Sequence, residues 1–225
     1  SITTGRERLE TIRFALDLEL SAPQICDGGA IIFDMPDGDV RWSQPLGRSA
    51  VEAVMNALEA SGSLFFATHP DGAYTNLRSE VADLPWVTTD PQDAQGVAFT
   101  RISALDLSDE EARGLTVALA PLGLHSARAY LPYNGLWAGD FTHPHVNKGT
   151  AVARVAAGTE VDVGECVAIG DSHNDLPMLQ AVGLAIVMEG APPEVIAAAD
   201  RVVPSVESDG LARAIDDIVM PLLAG

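Results

Sequence analysis

Two aspartates four residues apart, Asp171 and Asp175, lie in the segment GDSHNDLPML, which begins at Gly170 directly after the apolar run Val167, Ala168 and Ile169. Hard cations such as magnesium take carboxylate oxygens from a fairly rigid loop, and a phosphate ester supplies oxygens that complete the coordination. Asp171 and Asp175 are therefore candidate metal ligands and Mg2+ the candidate ion. The plainer assignments are a turn residue for Asp171 and a helix cap for Asp175, which precedes Leu176 and Pro177. Lys148, the chain's single lysine, immediately precedes Gly149 and stands apart from the twelve arginines. Ser172 and His173 are adjacent, which by itself does not make a nucleophile–base dyad. His143 and His145 alternate, but a zinc site wants further spaced ligands.

Positioning these residues takes a strand, a tight loop and a helix. The apolar run predicts the end of a buried strand, with Gly170 turning the chain so that Asp171 stands at the carboxyl edge of a sheet, where open α/β folds place ligands. A helix follows Asp175, and Leu184–Met188 reads as the next strand. Pro192 and Pro193 start a helix through Ala199, Arg201–Val203 is an edge strand, and Asp209 starts a last helix burying Leu211, Ile215 and Ile218. Upstream, Gly149–Ala156 begins a helix.

Nearer the start, Ser1–Arg6 reads as the end of a strand entering a glycine turn, and Glu7–Leu20 as a helix with Leu9, Ile12, Phe14, Leu16 and Leu20 at partly helical spacing. Gln24–Asp34 has strand content interrupted by Gly28 and Gly29, and Val40–Trp42 returns as its hairpin partner. Ser49–Ala60 is an amphipathic helix with Val51, Val54, Met55 and Leu58 on one side. Strands are predicted at Ser63–Thr68, Val97–Ile102, Leu124–Leu131 and Gly135–Phe141. Ser108 and Glu111 form a capping-box pattern at the head of the helix Ser108–Leu119. Arg78–Gln95, rich in proline and aspartate, reads mainly as loop.

The segment GDSHNDLPML, together with VNKGTAV at 146–152 and TTGR at 3–6, resembles the haloacid dehalogenase-like hydrolases, in the subgroup of Cof-type phosphatases with a large cap inserted into the core. The resemblance spans nearly the whole chain. It implies an α/β fold with a Rossmannoid core of mostly parallel sheet, its first central strand missing here, and an inserted α+β cap. The core would be residues 1–45 and 140–225, the cap 46–139. By the same resemblance Thr4 offers its hydroxyl and a nearby amide to phosphate, with Gly5 and Arg6 beside it, and Lys148 neutralises phosphate and nucleophile. Asp171 ligates magnesium, while Asp175 assists through metal-bound water or orients Asn174, a further substrate contact. Arg6 reads equally well as a partner of surface carboxylates. Gly28 stands where the family usually has asparagine, so one substrate-side polar contact is expected to be absent.

The resembled enzymes also carry an early strand ending in Asp-x-Asp, whose first aspartate attacks phosphorus and whose second is the general acid and base. The nearest strings here, DLE at 17–19 and DGD at 37–39, fall in a helix-like region and a hairpin turn, and neither inherits the role. The expectation is a shortened fragment of a longer phosphatase. The parent hydrolyses the phosphomonoester of a small metabolite through an aspartyl-phosphate, and the fragment has little or no activity alone.

Composition narrows the partners. Thirteen basic against thirty-two acidic side chains give a formal net charge of −19, which repels nucleic acid and acidic membranes. Two cysteines, Cys26 and Cys166, are too few for a disulfide scaffold and suit a reducing compartment. No run approaches eighteen apolar residues, and the expected location is cytoplasmic. Two other function classes stay open: a noncatalytic phosphate- or metabolite-binding protein, and a phosphomutase or phosphotransferase. Magnesium-dependent binding without turnover marks the first, and the identity of the product separates the second from a hydrolase.

Overall fold

The computed structural model describes residues 1–77, 85–131 and 133–224. Two units divide the chain, Ser1–Asn147 and Lys148–Gly225.

In the first unit, helix α1 (Arg8–Asp17) precedes the antiparallel strands β1 (Gln24–Cys26), β2 (Ile31–Phe33) and β3 (Val40–Ser43), and Thr3 adds a parallel bridge to Ile25. The stretch expected as one interrupted strand at Gln24–Asp34 is therefore two, folded back across Asp27, Gly28 and Gly29. All three have positive φ, at 50°, 65° and 107°. On α1 the buried positions are Thr11 and Ala15, while Phe14 and Leu16 are exposed, contrary to the expected apolar face. Alternation at helical spacing is too loose there to fix the inward side.

The same unit continues with α2 (Arg48–Ser61), β4 (Leu64–His69), β5 (Gly72–Thr75), β6 (Val87–Thr88), β7 (Arg101–Leu107), α3 (Asp109–Leu119), β8 (His125–Leu131) and β9 (Leu136–Thr142). The strands form one sheet in the order β6-β5-β4-β7-β9-β8. Side chains alternate between faces. Ile102 and Ala104 of β7, Phe65 and Ala67 of β4 and Phe141 of β9 pack with Val54 and Leu58 of α2 and Ala112 and Leu119 of α3. Arg101 and Ser103 take the intervening positions of β7. Ser108 accepts from the Glu111 amide and the Glu111 carboxylate from the Ser108 amide, the expected capping box.

The strand expected at Val97–Ile102 begins only at Arg101 and runs on to Leu107, because the Phe99 carbonyl is taken by the Leu46 amide at 2.8 Å instead of a ladder partner. Strands β5 and β6 were not expected. β6 lies inside Arg78–Gln95, whose residues 78–84 fall outside those described.

The second unit holds α4 (Lys148–Gly158), β10 (Val167–Gly170), α5 (Leu176–Leu179), β11 (Leu184–Met188), α6 (Pro193–Ile196), β12 (Arg201–Val203) and a C-terminal helical stretch. That stretch comprises α7 (Gly210–Arg213), a π-helical segment (Ala214–Val219) and α8 (Met220–Ala224). β10, β11 and β12 are parallel, as expected for the core. Ala168, Ala185 and Val187 face Met178, Leu179 and Val195, whereas Ile186 and Val203 face Ala214 and Ile218. Cover on both faces is what a parallel sheet requires.

Asp209 does not cap the last helix, since it sits at φ 59° without a side-chain cap bond, and Leu211 and Ile215 are exposed while Ala214 is fully buried. Among the described residues no helix is long and apolar enough to cross a membrane. Truncating fully buried Ile186 to Ala is expected to destabilise by about 2–5 kcal/mol. Leu211→Ala is expected to cost no more than about 0.5 kcal/mol. Urea unfolding midpoints of the two variants check the assignment of the inward face.

Candidate functional site

β10 delivers Gly170 to the sheet's carboxyl edge, and the next five residues fold into a knot of hydrogen bonds before α5 begins. A side chain at Gly170 would meet the Asp175 carboxyl carbon at 2.9 Å, so glycine there leaves room for Asp175 to fold back onto its own loop. One Asp175 oxygen, Oδ2, accepts from the amides of Asp171 and Ser172, each at 3.1 Å, and from the Ser172 hydroxyl at 3.1 Å. The other, Oδ1, takes the Lys148 ammonium at 2.6 Å.

That ion pair is buried, with about 7% of each side chain exposed. Lys148 opens α4, and Gly149 next to it meets α5 so closely that a Cβ would strike the Pro177 carbonyl. The lysine therefore reaches the loop because a glycine lets two helices touch. Lys148 also donates to Asn174 Oδ1 at 3.2 Å, which accepts the Ser172 hydroxyl at 2.6 Å. With its carbonyl so used, the NH2 end of Asn174 is the one able to donate to an anion.

Asp171 stands differently. The residue is exposed, yet the protein crowding its carboxyl raises the pKa, the Asp175 carboxylate raises it further, and Lys148 opposes them. A carboxyl held up beside a second carboxylate marks a place short of positive charge.

Magnesium commonly takes one or two carboxylates and keeps several waters, and Asp171 fits that role. Both oxygens of Asp175 are engaged, one by Lys148 and one by the loop donors, which leaves the expected assistance through metal-bound water as the way it could serve a cation; capping is only part of what it does. Among the described residues no group of three His, Cys, Asp or Glu is arranged to hold a metal. His173 reaches Glu194 at 2.7 Å rather than forming a dyad with Ser172.

Thr4, Gly5 and Arg6 belong to the first unit. The Thr4 hydroxyl oxygen accepts the Arg6 amide at 3.1 Å, which closes the turn and leaves the hydroxyl proton to donate. The Arg6 guanidinium pairs with Glu10 and lies over the Phe14 ring at 5.4 Å, the surface pairing that was one of its two expected roles. The His143 and His145 rings lie tilted to each other with centroids 5.7 Å apart, and the His145 amide donates to His143 Nδ1. A Cβ added at Gly28, where φ is 65°, would meet only Thr142 Cγ2, at 3.9 Å, so the family's asparagine, a residue that tolerates positive φ, has space there.

A cluster that sequence reasoning missed lies elsewhere in the first unit. Asp27 is fully buried, accepts the Thr100 hydroxyl at 2.6 Å, and lies 3.5 Å from the Arg101 guanidinium, which in turn lies 3.5 Å from Asp140. Strand register sets Asp140 beside β7, the turn between β1 and β2 brings Asp27, and no motif announces them. Burial raises the Asp27 pKa, Arg101 and Thr100 lower it, and Asp140 raises it. Glu7, Cys26 and His69 also feel its charge.

Residues 1–107 and 127–215 match the model of a family described as haloacid dehalogenase-like hydrolase. A phosphoglycolate phosphatase from Methanoculleus marisnigri is 38% identical over 72 residues, 32% of this chain and 31% of its own length. An HMP-PP phosphatase from Cronobacter sakazakii is 25% identical over 215 residues, 88% of this chain and 74% of its own length. A solved haloacid dehalogenase-like hydrolase from B. subtilis shares the fold with TM-score 0.81 at 17% identity, covering 96% of this chain and 87% of that one. A sugar phosphatase of haloacid dehalogenase subclass IIB does so with TM-score 0.77 at 17% identity, covering 96% and 83%. The chain spans about a third of the length of the phosphoglycolate phosphatases it matches.

Two predictions attach to this site. Lys148→Ala leaves the buried Asp175 carboxylate uncompensated and is expected to cost about 3–5 kcal/mol, whereas the double change Lys148→Met with Asp175→Leu recovers much of it. Urea denaturation of the three proteins measures the difference, less the cost of the loop amides that Asp175→Leu leaves unpaired. For Asp27 the raised pKa means that the native state holds the proton more tightly than the unfolded chain, so stability falls as pH rises through and above the ordinary value of about 3.9. Unfolding midpoints taken against pH are expected to show a shallower fall in Asp27→Asn.

Proposed function

Because the chain belongs to the haloacid dehalogenase-like hydrolase family, we propose that it carries the phosphate clamp and metal carboxylate of a magnesium-dependent phosphomonoesterase acting on a small phosphorylated metabolite. The observation that carries this reading is the buried Lys148 ammonium, fixed by Asp175 and Asn174 in the loop that presents Asp171 after a parallel strand. Relatives named as phosphatases of phosphoglycolate, HMP-PP and sugar phosphates support a small substrate. The net charge of −19 weighs against nucleic acid and anionic membranes as partners. A cytoplasmic setting agrees with the paucity of cysteine.

In this reading Asp171 would hold Mg2+ through its carboxylate, and the ion when bound would supply positive charge to phosphoryl oxygens. Lys148 offers fixed positive charge to phosphate, and the Asn174 NH2 donates to one of its oxygens. For the Thr4 hydroxyl in the first unit, a phosphate contact is proposed on the family resemblance alone. Asp175 binds no substrate but keeps Lys148 and the loop amides in place. Gly5 gives close backbone approach at the Thr4 turn.

The attacking carboxylate and the acid–base carboxylate are assigned to a segment outside these residues, since among the described residues no strand ends in Asp-x-Asp. Hydrolysis then passes through an aspartyl-phosphate in the longer protein, and the 225 residues alone are inactive. Residues 46–139 are proposed as the cap, because nearly all of the six-stranded sheet with α2 and α3 falls there around its own core. Residues 1–45 and 140–225 would form the discontinuous remainder.

The test pairs this chain with a version extended upstream, both given an aryl phosphate and magnesium. Turnover is expected only from the extended protein, lost on chelation and reduced about 10²–10³-fold by Asp171→Asn. Hydrolysis by the 225-residue chain itself would sink the external attacker. Tight magnesium-dependent phosphate binding without turnover in the extended protein would select a binding role instead.

A further inference from the structure

The Thr4–Arg6 turn belongs to no helix or regular strand, so something else must fix it. Its main chain is held by three hydrogen bonds: Thr4 donates to the Ile25 carbonyl at 3.0 Å, Asp27 to the Arg6 carbonyl at 2.9 Å, and Gly28 to the Thr4 carbonyl at 3.0 Å. Two of those donors sit in the run of positive φ at Asp27, Gly28 and Gly29. Glycine adopts that conformation freely, whereas aspartate does so at a cost and needs its side chain held.

The Asp27 side chain is held by the six-stranded sheet. The Thr100 hydroxyl lies 2.6 Å from Asp27 Oδ2 and 3.0 Å from the Thr68 carbonyl. Arg101 on β7 approaches both Asp27 and Asp140, and Asp140 accepts the hydroxyl of its cross-strand neighbour Ser103 at 2.5 Å. Asp27 Oδ1 and Arg101 Nε are buried without a hydrogen-bond partner. Glu7, Asp27 and Asp140 all act on the one arginine, so the cluster is short of positive charge and is no pocket for an anion. Arg101 is better read as a counterion that keeps Asp27 in place.

We propose that Asp27 is a positioning residue, tied by Thr100 and Arg101 to the sheet and setting through its own amide and that of Gly28 where the Thr4 hydroxyl points. The consequence for phosphate rests on the function proposed above. Thr100 offers the cleaner handle, because it contacts Asp27 and lies outside the turn.

Amide resonances of the 225-residue chain should be followed in Thr100→Val and Thr100→Ser, with inorganic phosphate titrated in the presence of magnesium. Thr100→Val is expected to move the Thr4, Gly5 and Arg6 signals and weaken phosphate binding roughly fivefold to tenfold, as for one lost hydrogen bond. Those of Asp171 and Asn174 should stay, and Thr100→Ser should restore both readouts. Unmoved turn signals in folded Thr100→Val would overturn the proposal, as would a moved turn with unchanged phosphate affinity. If the unaltered chain bound no phosphate, the proposed function would fail, and the turn signals would still decide whether Asp27 holds the turn.

Discussion

The Lys148–Asp175 ion pair is the constraint on which the second unit's loop depends. Two charges taken out of water offset their desolvation only when geometry and further hydrogen bonds are good, and here they are. Asp175 gives one oxygen to the lysine and the other to three loop donors, so the cation at the head of α4 and the backbone after β10 are fixed by the same carboxylate. Gly149 and Gly170 are the conditions for that arrangement, since a methyl group at either position would collide with its partner. Asp171 is left outside this arrangement, its carboxyl raised by the protein crowding it and by the Asp175 carboxylate, with Lys148 opposing both.

The first unit solves a similar problem with less order. Its six-stranded sheet buries apolar residues against α2 and α3 on one side and carries Arg101 and Ser103 at the alternate positions of β7. Asp27 and Asp140 converge on that arginine from different elements, at distances long for a hydrogen bond. In one unit a carboxylate is saturated and rigid, while in the other the buried charges touch at arm's length and two polar atoms lack partners.

How much of this was legible in the sequence varied with the range of the interaction. The bounds of β11 and β12 and the capping box of α3 were readable because each depends on neighbours in sequence. The loop from Gly170 to Asp175 was recognisable as a turn between strand and helix, but the pairing of its side chains was not. Two aspartates look alike as letters, and only burial separates the one that holds Lys148 from the one that faces outward. The last helix misled in part: Ile218 packs inward as expected, but Leu211 and Ile215, which have the right spacing for a core face, are exposed, and Ala214 takes the buried place beside Ile186 and Val203. Asp27, Arg101 and Asp140 meet across dozens of residues, Asp140 through pairing of β7 with β9 and Asp27 from a turn outside that sheet, which no local pattern encodes.

Burial of the chain's single lysine has a kinetic corollary. With Lys148 tucked beneath its own carboxylate and an outer surface dominated by acidic groups, an approaching anion meets repulsion at long range and attraction only on arrival. Capture of such a ligand would be slowed by the far field, and mobile ions, which damp that field over about 10 Å at 0.1 M, would hasten it. The protein would then quicken with added salt, the reverse of a surface built to steer its ligand inward.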